Sequence, residues 1–292
     1  MIITHKIAAL TATLTTALSL LAAPAMAFSV GATNNTETLK NNLLGTNTAG
    51  LSNFSVSITG NSAAFGIFTN DPFGLTSGVV LSAGRVAHIP GQNRKDNFTT
   101  QDSDLSTDFG AKGEQGDLTQ LNLSFFANST VEKLFFQYVF ASEEFPEFGG
   151  SKYNDDFELL LNGTNLAKLS DGKTVTINNL VPEPNNRSKD HPDYIDNPSL
   201  TGIAANIVKL DGFTKVLGFE GLLKQNQTNV LSIRIKDVGD GKLDSAVFIK
   251  GGSVGTVQPE PVPEPMTVGG LMAGGAMLAA ARKLRNRRGG SN

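Results

Sequence analysis

The sequence predicts an all-β fold, a two-sheet antiparallel β-sandwich of jelly-roll-like build with one short helix near its start. Three observations carry that prediction. Phe54, Val56 and Ile58, then Leu121, Leu123 and Phe125, then Leu231, Ile233 and Ile235 each alternate with polar residues, the period of a strand with one wet face. Residues 134–140 and 157–161 are instead apolar on both parities, which suits central strands covered on both sides. Asn162-Gly163 and Asp171-Gly172 are turn dipeptides between strand-like runs.

Taken in order, the chain opens with one cation, Lys6, an apolar stretch over residues 7–23, Pro24, and the small-residue step Ala25-Met26-Ala27. That is the layout of a secretion signal, cleaved after Ala27, so residues 1–27 are assigned to a signal peptide removed by signal peptidase. Residues 36–44 form the one helical segment of the body, with Leu39, Leu43 and Leu44 on one side. Residues 166–169 and 174–177 flank the Asp-Gly turn as a hairpin. Residues 181–198 read as a polar, Pro-rich insert. No long linker interrupts the body before Gln258, so residues 28–257 are assigned to one sandwich domain and residues 258–292 to a tail.

Composition narrows the function classes. Residues 28–258 hold 18 basic and 25 acidic residues, a net charge of −7, with no basic stripe to neutralise phosphates, so nucleic acid is excluded as a partner. The chain has no cysteine, which removes disulfides, a thiolate nucleophile, a thiolate-bound zinc and a lipoprotein anchor. It has no tryptophan and three tyrosines, so a broad aromatic sugar-stacking face is not expected. The Asn-x-Ser/Thr triplets reflect richness in those residues and receive no role.

The acidic residues offer two chemistries. Asp237, Asp240 and Asp244 lie on a Gly-containing connection between two strand-like runs, with Glu143, Glu144 and Asp155 able to contribute from neighbouring loops. Ca²⁺ takes six to eight hard oxygens from such loops, and this set is the candidate calcium site. The spacing is not that of an EF-hand, and an equally open reading makes the three aspartates turn residues bonded to their own backbone. Asp102, Asp104, Asp108 and Asp117 read as a solvated loop. For catalysis, His88 and His191 are the histidines of the mature body, neither beside a nucleophile elbow, and His191 reads as a solvated loop residue. No catalytic residue is assigned. The alternative is a calcium-assisted, glycosidase-like surface hydrolase using Glu143 and Glu144 at the end of a central strand.

The tail has three parts in sequence: Pro259-Glu260-Pro261-Val262-Pro263-Glu264-Pro265, an apolar run of 16 residues over 266–281, and the cluster Arg282, Lys283, Arg285, Arg287 and Arg288. The Pro-rich part predicts a stiff extended spacer holding the apolar run away from the domain. As a helix the apolar run reaches about 24 Å against a hydrocarbon core of roughly 30 Å, a marginal span suited to transient membrane insertion. The cations would stay cytoplasmic, leaving the body outside, the topology a signal peptide also requires. Val262-Pro263-Glu264-Pro265, the short apolar helix and the Arg cluster together resemble the PEP-CTERM sorting signal. That resemblance implies processing by an exosortase-type enzyme near the motif.

A second resemblance spans most of the body. Residues 78–82 (Gly-Val-Val-Leu-Ser), 138–148 (from Tyr138 through Glu143 and Glu144 to Phe148), Tyr153-Asn154-Asp155, 211–214 (Asp-Gly-Phe-Thr), 237–240 and 244–248 are, in that order, similar to the choice-of-anchor L domain. Where that pattern carries an apolar residue after the Asn-Asp step, this chain carries Asp156. The resemblance implies export and an interchangeable C-terminal anchor and names no reaction. The resulting expectation is a non-enzymatic binding, adhesive or structural module. Its expected place is the cell envelope, cell surface or extracellular matrix of a Gram-negative-type bacterium, with exopolysaccharide or envelope components as partners.

Overall fold

The structure, a computed structural model, describes residues 27–95, 104–110, 117–238 and 241–262, the side chain of Asp156 excepted. Two antiparallel sheets stack face to face. The smaller is built from β2 (Leu51–Thr59), β5 (Leu118–Ala127), β12 (Gln227–Lys236), β7 (Asp156–Leu161) and β8 (Thr164–Asn165), in that spatial order. The larger runs β1 (Ser29–Ala32), β3 (Phe65–Thr69), β4 (Ser77–Ser82), β13 (Ser245–Lys250), β6 (Lys133–Ser142), β10 (Gly212–Thr214) and β9 (Tyr194–Asp196). Strand β11 (Leu217–Leu222) pairs with the first half of β6, and β10 with its end.

The period-two pattern sets the register. Leu123, Leu231 and Leu161 lie side by side across β5, β12 and β7, as do Leu121, Ile233 and Leu159, and all six are buried against the larger sheet. Their polar alternates face outward, where Ser232 Oγ donates to Asn122 Oδ1 at 2.6 Å and Arg234 pairs with Glu158 at 2.7 Å. On β6 the prediction of a strand covered on both faces holds. Leu134, Phe136, Tyr138 and Phe140 point into the core between the sheets. Val139 and Ala141 join a second core with Phe28, Phe68, Phe73, Phe213 and Phe248. That second core is roofed by chain from residues 83–93 and 197–210, which includes Val86, Ile89, Ala204 and Val208. The same prediction for 157–161 is corrected. Glu158 and Leu160 are only half-buried, because β7 belongs to the smaller sheet, whose outer face carries no third layer among the described residues.

Local signals account for the connections. Helix α1 (Thr36–Leu43) starts at Asn35, whose Oδ1 accepts the Thr38 amide at 2.9 Å, and buries Leu39 and Leu43. Leu44, expected in the helix, is its extended C-cap and bridges to Val254. Asn162 and Gly163 both take positive φ, 52° and 91°, the primed-turn geometry that joins β7 to β8. The Asp171-Gly172 turn is closed by Leu169 N–H to Lys173 O at 2.8 Å.

The 181–198 insert is less solvated than its composition predicts. It comes after α2 (Ile177–Leu180), and Val181, His191, Asp193 and Asn197 are all buried. The spacer expectation also needs correcting at its start. Gln137 Nε2 donates to Glu260 O at 2.9 Å and Val262 Cγ1 lies against Gly74, so the chain up to Val262 runs along the domain. The segment expected to be a signal peptide, apart from Ala27, and the expected sorting tail from Pro263 onward lie outside the described residues. Among the described residues no helix is long and apolar enough to cross a membrane.

Candidate functional site

At one end of the larger sheet, four neighbouring strands bring Gly84, Asp244, Glu143 and Asp211 to the same level. Ser82 pairs with Ala246, Ser142 with Ser245 and Gly212 with Ser142. The ladder continues outward through Ala83 N–H to Ser245 O (2.9 Å), Glu143 N–H to Asp244 O (3.2 Å) and Asp211 N–H to Ser142 O (3.1 Å). Side chains alternate along a strand, so Glu143 projects on the face of Val139 and Ala141, Asp244 on that of Ala246 and Phe248, and Asp211 on that of Phe213. Three carboxylates therefore stand in a row at the edge of the second core. Like charges directly opposite on adjacent strands repel.

Backbone amides answer part of this charge. Glu143 Oε1 accepts from the amides of Asp104 (2.6 Å) and Leu105 (3.2 Å), and Asp244 Oδ1 accepts from that of Thr107 (2.7 Å). The Asp244 amide donates in return to Leu105 O at 3.1 Å, and Leu105 plugs the second core. Asp104 Oδ2 accepts from the amides of Arg94 and Lys95, and Asp117 Oδ2 from that of Phe109 at 2.6 Å. Asn93 Nδ2 donates to Asp211 Oδ1 at 2.6 Å. The 104–117 aspartates, read from sequence as a solvated loop, include a buried Asp117 and an Asp104 built into this network. Gly84 is what lets β4 close on the cluster, since a Cβ there would fall within the Asp244 carboxylate.

Glu143 and Asp244 are 1% and 2% exposed, and among the described residues Glu143 Oε2 and Asp244 Oδ2 have no hydrogen-bond partner. Burial pushes the Glu143 carboxyl well above its ordinary range, opposed by the Asp104 and Leu105 amides and reinforced by the charges of Asp104 and Asp244. Burial likewise pushes Asp244 up to about 6, against the Thr107 bonds and with the charge of Asp117.

These shifts make stability depend on pH. Asp244 holds its proton more tightly folded than unfolded, so its contribution to stability is full below about pH 4 and is lost as pH rises through about 6. A shift of about two units corresponds to about 3 kcal/mol. In chelator, the stability of the unmutated protein relative to Asp244→Asn should fall by roughly that amount between pH 4 and 7. Urea unfolding of both proteins across that range checks it, and parallel pH profiles would contradict it.

The described residues of the set expected to bind calcium do not form one ligand sphere. Asp155 is fully buried on the opposite, inner face, where its Oδ2 accepts from Ser245 Oγ (2.6 Å) and its Oδ1 from the Val238 amide (3.0 Å). Ser245 Oγ in turn meets Ser142 Oγ at 2.8 Å, and Ser142 Oγ accepts the Glu144 amide. The sheet itself separates this network from Glu143 and Asp244. Asp237 Oδ1 accepts the Gly241 amide at 3.1 Å, the backbone-bonded geometry of the turn reading, and Asp240 lies outside the described residues. Among the described residues no three His, Cys, Asp or Glu side chains are grouped so as to hold a metal.

His191, expected in solvent, is buried. Its amide donates to Leu180 O at 2.8 Å and its Nδ1 accepts from the Asp193 amide at 3.1 Å. The Glu144 side chain is 2% exposed, and neither it nor Glu143 lines the cleft of about 400 Å³ bordered by Phe73, Leu169, Ile195, Phe213 and Val216, with Lys168 and Lys215.

A family model described as choice-of-anchor L domain matches residues 29–255. No curated protein and no solved structure matches the chain.

Proposed function

The chain belongs to the choice-of-anchor L domain family, and from that premise we propose that it is an exported module that works at the cell surface or in the extracellular matrix by binding, adhesion or structural support. The observation that carries this reading is the extent of the match, which takes in every strand of both sheets and leaves the signal-like and Pro-Glu-Pro segments outside it. The family makes the protein a surface-associated β module. The finer assignments are ours: removal of residues 1–27 by signal peptidase, exosortase-type processing near Val262-Pro263-Glu264-Pro265 after transient membrane insertion, and exopolysaccharide or envelope components as partners.

Two structural features support a module over a hydrolase. Glu143 and Glu144, the pair a hydrolase would use, are buried and bonded into the fold, and a substrate has no path to carboxylates that are 1–2% exposed. The outer face of the smaller sheet is a solvated surface of Asn122, Ser124 and Ser232 with the Arg234–Glu158 pair, which suits hydrogen bonding to a hydrated polymer.

Expression of the full chain in a host with an exosortase-type enzyme, fractionation, and mass spectrometry of the surface-located form test the reading. The expected C-terminus falls near residues 263–266, with the protein retained on cells or matrix. Recovery of intact Arg288 on that form would overturn the sorting assignment. Polymer turnover lost in Glu143→Gln or Glu144→Gln would overturn the non-enzymatic one.

A further inference from the structure

We propose that the cleft of about 400 Å³ beside β10 and β11 is a docking groove for this chain's own Pro263-Glu264-Pro265 segment, with the proline rings on its apolar wall and the Glu264 carboxylate toward Lys168 and Lys215. Docking there continues the path of residues 258–262 along the domain. It belongs to the uncut chain, whether or not the tail is later processed.

The chain leads to the cleft. Gln258, Pro259, Pro261 and Val262 line a groove over Gln137 of β6 and Gly218 of β11, where Gln137 Nε2 holds the chain through Glu260 O at 2.9 Å. Of these four residues only Val262 also borders the cleft, and its Cγ1 is 3.0 Å from where a Cβ on Gly74 would lie. The last described residue therefore stands at the edge of the cleft, with Pro263 next in sequence. At about 3.1 Å per residue for an extended Pro-rich chain, three residues advance about 9 Å. A segment tethered directly to a fixed anchor meets its groove at an effective concentration on the order of mM, so weak contacts suffice to seat it.

The lining fits that occupant. Phe73, Ile195, Phe213 and Val216 make an apolar wall of the kind proline rings pack on, and a stiff Pro-rich chain loses little conformational freedom when it docks. Lys168 and Lys215 border the same cleft against one carboxylate, Asp193, whose Oδ2 already accepts the Ser170 amide at 2.7 Å. Two cations facing one anion favour a further negative charge, and Glu264 carries one. Gly218 supplies the space. It lies within β11, is exposed, takes no positive φ, and a Cβ there would meet nothing within 4 Å. Neither backbone conformation nor crowding calls for glycine at this position. Gly218 borders both the groove and the cleft, and the bare backbone leaves an open floor on which another chain can lie closely.

The test is zero-length carbodiimide cross-linking of the purified full chain in detergent, as an equal mixture of unlabelled and ¹⁵N-labelled protein, with the joined peptides identified by mass spectrometry. Glu264 should be joined to Lys168 or Lys215 within one copy. The exposed Lys189–Glu183 pair is the internal control for the reaction. Gly218→Leu, which fills the floor without touching a neighbour, should abolish the Glu264 cross-link while the control cross-link and the unfolding midpoint are kept. Lys168→Glu with Lys215→Glu should also abolish it, and adding Glu264→Lys should restore a cross-link of reversed polarity, a rescue that a damaged fold would not give. With the control pair reacting, Glu264 joined only to Lys283, only to lysines outside the cleft, only between copies or to none overturns the proposal. So does a Glu264 cross-link that survives Gly218→Leu unchanged.

Discussion

Phe140→Ala should lower the unfolding free energy by about 3–5 kcal/mol, the cost of removing a large buried ring and leaving a cavity. The Phe140 side chain is fully buried between the sheets, stacked on Phe157 at 5.9 Å and 14° and edge-on to Phe145 at 6.2 Å and 82°. Phe157 belongs to the smaller sheet and Phe145 to the chain just past β6, so this one ring ties both sheets to the start of the carboxylate cluster. Its strand cannot shift to fill the gap, because β6 is held on one side by β13 and on the other by β10 and β11. At roughly 2–4 °C per kcal/mol for a body of this size, the melting midpoint should drop by about 6–20 °C. The reference is Leu222→Ala, on a side chain 73% exposed, which should change stability by under about 0.5 kcal/mol. Equal losses in the two variants, by urea or thermal unfolding, would refute the assignment of Phe140 to a tightly packed core.

The sheets were legible where the signal is local. Leu121, Leu123 and Phe125 show their buried face by period alone, and Asn162-Gly163 names its own turn, because both depend on neighbours a few residues away. What one chain segment meets in space was not legible. Residues 157–161 are as apolar as 134–140, yet among the described residues only the latter lie in the sheet that receives a second layer, and no local pattern records which sheet that is. Asp104 and Asp117 look like loop residues because their burial depends on distant groups; Thr107 is held by Asp244, 137 positions away.

The calcium set was divided for a related reason. Glu143 and Ser142 are adjacent in sequence but face opposite sides of β6, so Asp155, which reaches Ser142 through Ser245, cannot share an ion with Glu143. Asp211 was visible in the ordered motif series, and only the pairing of β10 with β6 shows that it stands beside Glu143.

Asp155→Ala should cost about 3–5 kcal/mol. Asp155 is fully buried and is the shared acceptor of two donors from chain more than 80 positions away, the Val238 amide at 3.0 Å and Ser245 Oγ at 2.6 Å. Truncation strips the acceptor from a buried amide at roughly 1–3 kcal/mol, turns the Ser245 hydroxyl back on Ser142 alone, and opens a cavity beneath β13. Asp155→Asn separates these contributions. It keeps a carbonyl oxygen for the Val238 amide, and its NH₂ can donate to a Ser245 oxygen whose hydrogen then turns to Ser142 Oγ at 2.8 Å, so the loss should shrink to about 1–2 kcal/mol. Neither change touches the outer face, where Glu143 and Asp244 stand. Urea unfolding of the full chain, unmutated and as the two variants, reads both losses. Equal losses for Ala and Asn would show that the two hydrogen bonds do not carry the stability.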